Sequence, residues 1–278
     1  MTRADLRTAI AERPVVLDGG LATLLEEHGH DLSSDLWSAR LLRDDPAAIE
    51  RAHREFFTAG AEVATTASYQ VSFDGFGAEG ADRDEVERLL RTSVELAAAA
   101  RDDVAPDGWV AASVGPYGAV LADGSEYRGD YDLDVAGLRA FHRPRLDVLA
   151  STVGEGADVL AVETIPCLSE VEAVLAELDG SGVPAWLSLS TANGLTRAGE
   201  PIGEWLAEHV EGTAVVVGDP SFADTPRVRS LAPELVKGLE FDLVVLVDPD
   251  VFGDGVAGAV DRYVAMTRAT QRLVVLTS

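Results

Sequence analysis

Residues 159–178 read VLAVETIPCLSEVEAVLAEL, and this stretch decides the fold. Val159 to Val162 form a short β-branched apolar run, which reads as a buried strand. Glu163 and Thr164 put polar groups at its C-terminal end, and Leu168 to Leu178 then carries apolar residues at helical spacing. Together these make one β/α unit.

The unit recurs. Val15 to Leu17, Glu62 to Ser68, Trp109 to Val114 and Ala185 to Leu189 read as further strands, each bounded by glycine, proline or a polar turn. Amphipathic segments lie between them at Pro46 to Ala59, with proline in the first turn, at Arg83 to Val104 and at Asp134 to Glu155. Alternation of this kind calls for a parallel sheet covered by helices, either a (β/α)8 barrel or a doubly wound sheet. Polar residues favour the barrel: Asp18, Ser68 and Tyr69, Gly115 and Pro116, and Glu163 and Thr164 all fall at strand ends, which converge on one mouth in a barrel.

The rhythm breaks after Trp205. Thr213 to Val217, Leu243 to Val247 and Leu273 to Leu276 are apolar strand candidates, but a proline-rich, charged stretch from Asp219 to Pro233 replaces the helix expected between the first two. The expectation is a barrel portion over residues 1–205, incomplete at about five regular β/α units, followed by a small α/β segment over 206–278.

The chain has 278 residues, 48 acidic and 22 basic, for a net charge of -26. Such a surface repels nucleic-acid phosphates and anionic lipid and keeps a protein hydrated. No run of eighteen apolar residues is present, so neither a membrane span nor a signal peptide is expected and the cytoplasm is the default location. One cysteine, Cys167, excludes an internal disulfide framework.

Val16-Leu17-Asp18-Gly19-Gly20 places a carboxylate at a strand end before two glycines, which let a ligand approach the backbone. Asp-Gly-Gly is also an ordinary turn, Glu163 by itself fits a cap of the next segment, and Trp37 and Tyr69 fit ordinary packing. His142, inside a helical segment, reads as structural.

Read together, LDGG (17–20), DLWSARLL (35–42), TASYQ (66–70), SVGPYGAVLADGSEYRGDY (113–131), FHRPRLDVL (141–149), ETIPC (163–167) and TRAGEP (196–201) resemble the homocysteine S-methyltransferase family in order and spacing, over about residues 10–202. The resemblance implies a (β/α)8 TIM barrel that moves a methyl group from S-methylmethionine, or a related sulfonium donor such as S-adenosylmethionine, to homocysteine to give methionine. It implies that Asp18 and Glu163 hold the amino group of homocysteine beside the backbone of Gly19 and Gly20, with Trp37 and Tyr69 walling the site and able to face a sulfonium. It also implies a zinc held by three cysteine thiolates late in the chain, which would make the homocysteine sulfur a thiolate. This chain has no cysteine there, and Cys167 is not one of the three, so zinc is not expected to bind.

The tail resembles something else. VKGLEFDLVVLVDP (236–249) and YVAMTRATQRLVVLTS (263–278) are similar to the C-terminal end of the second RecA-like domain of UvrD-type superfamily 1 helicases. That resemblance would give Lys237 and Glu240 to a motif coupling ATP and DNA contacts, and Arg268 to the γ-phosphate. No G-x-x-x-x-G-K-[ST] loop exists to present a nucleotide, and from Leu206 onward 11 acidic residues face 6 basic ones. Three functions are thus in view: a homocysteine methyltransferase with its activity in question for want of the thiolates, a non-catalytic chimera of truncated barrel and helicase fragment, and an ATP- or DNA-linked module.

Overall fold

The computed structural model describes residues 5–32, 37–78, 80–192, 195–203, 205, 214–219, 222, 228–237, 239, 241–253 and 255–276. The chain divides into two compact units, one of residues 1–126, 130–165 and 169–187, the other of 127–129, 166–168 and 188–278.

In the first unit, strands β1 (Val63–Thr65), β2 (Trp109–Val114), β3 (Val159–Ile165) and β4 (Ala185–Leu189) lie side by side in chain order. β1 pairs β2 and β2 pairs β3 in parallel. The stretch expected as the first strand joins the edge more sparsely: Leu17 bridges Val63, and the Val16 carbonyl accepts from the amides of Glu62 and Val63. Each strand thus sits beside its successor, as in the first half of a β/α barrel.

Among the described residues eight helices belong to this part of the chain: α1 (Leu6–Glu12), α2 (Leu21–Glu27), α3 (Trp37–Asp44), α4 (Pro46–Ala59), α5 (Phe73–Ala78), α6 (Arg83–Val104), α7 (Gly118–Leu121) and α8 (Val135–Thr152). A ninth, α9 (Leu168–Leu178), follows β3. Their starts follow from the sequence: the carboxylates of Asp45, Asp82 and Asp134 accept from the amides of Ala48, Glu85 and Gly137, satisfying donors that a helix N-terminus leaves open. Gly60, at φ 108°, ends α4 in a left-handed turn that a Cβ would strain.

Every residue of β2 is buried, as a strand covered on both faces must be. Leu6 and Ala9 of α1 pack with Val63, Trp109, Ala111, Val159 and Ala161. Each fully buried valine or leucine contributes about 1.5–3 kcal/mol relative to exposure.

The second unit holds β5 (Thr191–Ala192) and β6 (Leu195–Thr196) as an antiparallel ribbon, then β7 (Ala214–Val217), β8 (Val228–Leu231), β9 (Phe241–Val247), helix α10 (Gly255–Met266) and β10 (Ala269–Leu276). Its four-stranded sheet is parallel with the order β10-β9-β7-β8, so the chain adds β8 on one side of β7 and β9 on the other. Alternate residues face two cores: Val216, Leu243, Val245 and Val247 pack with Ile202, whereas Val215, Val217, Val244 and Leu246 pack with Val236 and Ala265.

The α/β class with parallel sheets is thus seen. Among the described residues the strands form two four-stranded sheets and a two-stranded ribbon, and no eight-stranded ring. β8 falls within the stretch read as an irregular substitute for a helix: a four-residue strand flanked by prolines gives too short a pattern to stand out.

Candidate functional site

The C-terminal ends of the first unit's strands carry a connected set of polar side chains. Asp18, just past the extended Val15–Leu17 stretch, gives its amide to the Val63 carbonyl at 3.0 Å. Its carboxylate accepts from the Thr65 amide at 2.7 Å and the Thr65 hydroxyl at 2.9 Å. Burial pushes the Asp18 carboxyl up to about 6, against the opposing pull of the Thr65 bonds.

Glu163, on β3, accepts at Oε1 from the Ser113 hydroxyl of β2. Burial raises its pKa, the Ser113 bond lowers it, and the negative charge of Asp18 raises it again. The two carboxyl groups are therefore near enough to feel each other. The supports continue inward: the Ser113 amide donates to Thr66 Oγ1 at 2.9 Å, the Ser68 hydroxyl donates to the Ser113 carbonyl at 2.7 Å, and the Thr66 and Ser68 hydroxyls share a 2.7 Å bond. Each carboxylate thus accepts from one hydroxyl, Thr65 for Asp18 and Ser113 for Glu163, and the backbone of Ser113 is tied in turn to Thr66 and Ser68.

Thr164 follows Glu163 at φ 64°. A β-branched residue in the left-handed region is strained by about 1–3 kcal/mol, and such strain persists where the surroundings overdetermine the backbone. It sits at the residue after the half-buried acid.

Tyr69 and Gly115 meet at the ends of β1 and β2. A Cβ on Gly115 would lie 2.6 Å from the Tyr69 ring and 2.7 Å from the Tyr69 carbonyl oxygen, so only glycine lets the two segments approach. Gly19 is held by packing, since a Cβ there would come 2.9 Å from the Phe56 ring. Gly20 precedes α2 as its N-cap. Trp37 opens α3, and its side chain lies outside the described residues.

Asp18, Glu163 and Tyr69 thus come to one set of strand ends, as their positions in the sequence led one to expect. Thr65, Thr66 and Ser113 were missed as supports. Their signal was a row of hydroxyl residues, Thr65, Thr66 and Ser68, at the end of an apolar strand.

His142 is fully buried on α8 with Nε2 2.7 Å from Oε1 of Glu170, and burial lowers its pKa more than Glu170 raises it. In the second unit, Lys237 pairs with Asp261 at 3.0 Å, and Arg268 donates to the carbonyl of Val264 at 3.1 Å and to the Thr267 hydroxyl at 3.0 Å. Both cations serve the unit's own fold; Glu240 lies outside the described residues.

A thiolate-held zinc does not fit this donor set. The chain's one sulfhydryl, on Cys167, is buried, and among the described residues no three His, Cys, Asp or Glu side chains are grouped to hold a metal ion. Likewise, among the described residues no helix is long and apolar enough to cross a membrane.

What the arrangement offers is a pair of half-buried carboxyls at a strand-end surface, which a small cation with several donors would satisfy. A family model for homocysteine S-methyltransferase matches residues 15–267, so the match runs on through most of the tail that was read from its sequence as resembling a helicase end, and nothing here supports that second resemblance. A homocysteine S-methyltransferase of Bacillus subtilis is 42% identical over 245 residues, covering 83% of this chain and 76% of that protein. One of Escherichia coli is 49% identical over 170 residues, covering 59% of this chain and 54% of its own length. Crystal structures of an Escherichia coli homocysteine methyltransferase in oxidized and metallated forms each superpose with TM-score 0.71, at 32% and 33% identity, over 98% of this chain and 94% of theirs.

Proposed function

The chain belongs to the homocysteine S-methyltransferase family, and on that premise we propose that residues 1–205 hold homocysteine by its ammonium group between Asp18 and Glu163 for methylation to methionine. The observation that carries this reading is the half-buried carboxyl pair, held by Thr65 and Ser113, with both pKa values raised. An ammonium group supplies the opposite charge and further donors to two partly desolvated carboxylates. The backbone of Gly19 and Gly20 flanks the bound amine and Tyr69 walls the site, a role that Trp37 shares on the family resemblance alone.

The donor is a sulfonium, S-methylmethionine or S-adenosylmethionine. In the transfer the homocysteine sulfur attacks the methyl carbon, a new S–C bond forms as the old one breaks, the donor leaves as a neutral thioether and the thiol proton passes to water. The protein's part is placement: fixing the ammonium fixes the distance from the sulfur to the donor, and the aromatic rings favour the sulfonium. Because the residues present do not form a thiolate zinc site, no step passes through a metal. The nucleophile is then the small thiolate fraction of a thiol with pKa near 8.5, roughly a few per cent at neutral pH, and the transfer is slow.

Methionine formation from homocysteine and either donor, read by isotope transfer from a labelled methyl group, tests this. Product that depends on Asp18 and Glu163, with no zinc retained after dialysis, is the expected result. Homocysteine binding that is absent, or indifferent to Asp18→Asn, removes the proposal.

A further inference from the structure

Arg145, on α8, is the largest fully buried side chain of the described residues, at 0% exposure. Its guanidinium donates through one terminal nitrogen to the Gly115 carbonyl at 3.1 Å and through the other to the Tyr69 carbonyl at 2.9 Å. Those carbonyls belong to the segments that follow β2 and β1. The charge is balanced by Glu170 of α9, also at 0% exposure, whose Oε1 takes the Tyr117 amide at 2.5 Å and His142 Nε2 at 2.7 Å. Phe141 lies 5.4 Å below the guanidinium, and Tyr117 packs edge-on to Phe141 and Tyr131.

Burying a guanidinium is costly, and a neutral donor would serve a single carbonyl as well. What arginine adds is a rigid planar fork that can hold two acceptors at a fixed separation. Here the two acceptors flank the contact in which the Tyr69 ring lies on Gly115. We propose that Arg145 is a positioning residue: it clamps the segments after β1 and β2 to each other and so sets where Tyr69 stands at the homocysteine site. The second half of this inference rests on the function proposed above; the clamp itself does not.

Arg145→Lys separates the two. Lysine keeps the charge opposite Glu170 but offers a compact ammonium in place of a fork, so it cannot span both carbonyls in the same geometry. Amide hydrogen exchange should quicken about tenfold at Val71 and at Ala119 and Val120, whose amides close the turns after the two strands. The amides of Leu160 to Val162 should keep their protection. Calorimetric titration should show homocysteine bound about tenfold more weakly, and that loss should vanish when Tyr69→Ala is already present, because a residue acting through Tyr69 has nothing left to place. Exchange that is unchanged, or faster throughout the sheet, overturns the clamp. A binding loss that persists in full beside Tyr69→Ala overturns the positioning role. If the unsubstituted protein binds no homocysteine, the function proposed above falls, and the exchange result alone decides the clamp.

Discussion

Thr65 gives both its amide and its hydroxyl to Asp18, at 2.7 Å and 2.9 Å, so the last residue of one strand aims the acid at the end of its neighbour. Despite those bonds, burial leaves Asp18 half protonated near pH 6. Only the ionised form attracts an ammonium, and homocysteine keeps its ammonium throughout this range. Affinity for homocysteine should therefore rise about tenfold between about pH 5 and about pH 7 and level off above. Calorimetric titration at a series of pH values checks this, and Asp18→Asn should flatten the curve.

The same raised pKa acts on stability with the opposite sense. The folded state holds a proton on Asp18 up to about 6 whereas the unfolded chain releases it near 3.8, so the fold loses stability as pH climbs between those values and the deficit stays above them. Asp18→Asn should thus raise stability at pH 8 by about 1–2 kcal/mol, less than the full shift implies because the asparagine must remake the Thr65 bonds, and should give no gain near pH 4. Urea unfolding at the two pH values reads it.

Glu163 is pushed up by burial, held down by Ser113 and pushed up by the charge of Asp18. Ser113→Ala should shift the Glu163 titration to higher pH and Asp18→Asn to lower pH. Carbon-13 NMR of the labelled carboxyl follows both; a common direction would show that the carboxyls do not share a field.

Thr164→Gly should stabilise the protein by about 1 kcal/mol, because glycine adopts φ 64° without strain, even after its greater unfolded-state freedom is charged against it. It should also weaken homocysteine binding, since a looser backbone lets the neighbouring Glu163 wander. Thermal unfolding and titration on one variant decide the pair of outcomes.

Methyl transfer without a metal-bound sulfur has its own pH signature. The rate should climb about tenfold per pH unit to about pH 8.5 and be indifferent to a chelator. A profile that is flat above neutrality and collapses with chelator would show that a metal activates the sulfur.

Helices were the most legible part of this chain. Pro46–Ala59, Arg83–Val104 and Leu168–Leu178 keep the bounds that their periodicity suggests, helped in the first two by the local caps Asp45 and Asp82 and in the first by termination at Gly60. β2 and β4 were equally plain, each an apolar run between turns. β8 was hidden, and so was the order β10-β9-β7-β8, since strand order depends on which edge a connection reaches and leaves no period in the sequence. The site divides along the same line. Asp18, Tyr69 and Glu163 could be picked out as polar residues ending apolar strands. Arg145 and Glu170 could not: both sit in helical segments where an arginine and a glutamate normally face solvent, and only packing reveals that they are turned inward.

The approach of Tyr69 to Gly115 has a bearing on how this protein can change over generations. At position 115 the first carbon of any side chain collides with a ring and also with a main-chain oxygen, so replacing Tyr69 by something smaller would not make room. The two segments would have to part first. Any side chain at 115 thus sets the two segments apart and carries the Tyr69 ring away from the strand ends where Asp18 and Glu163 stand.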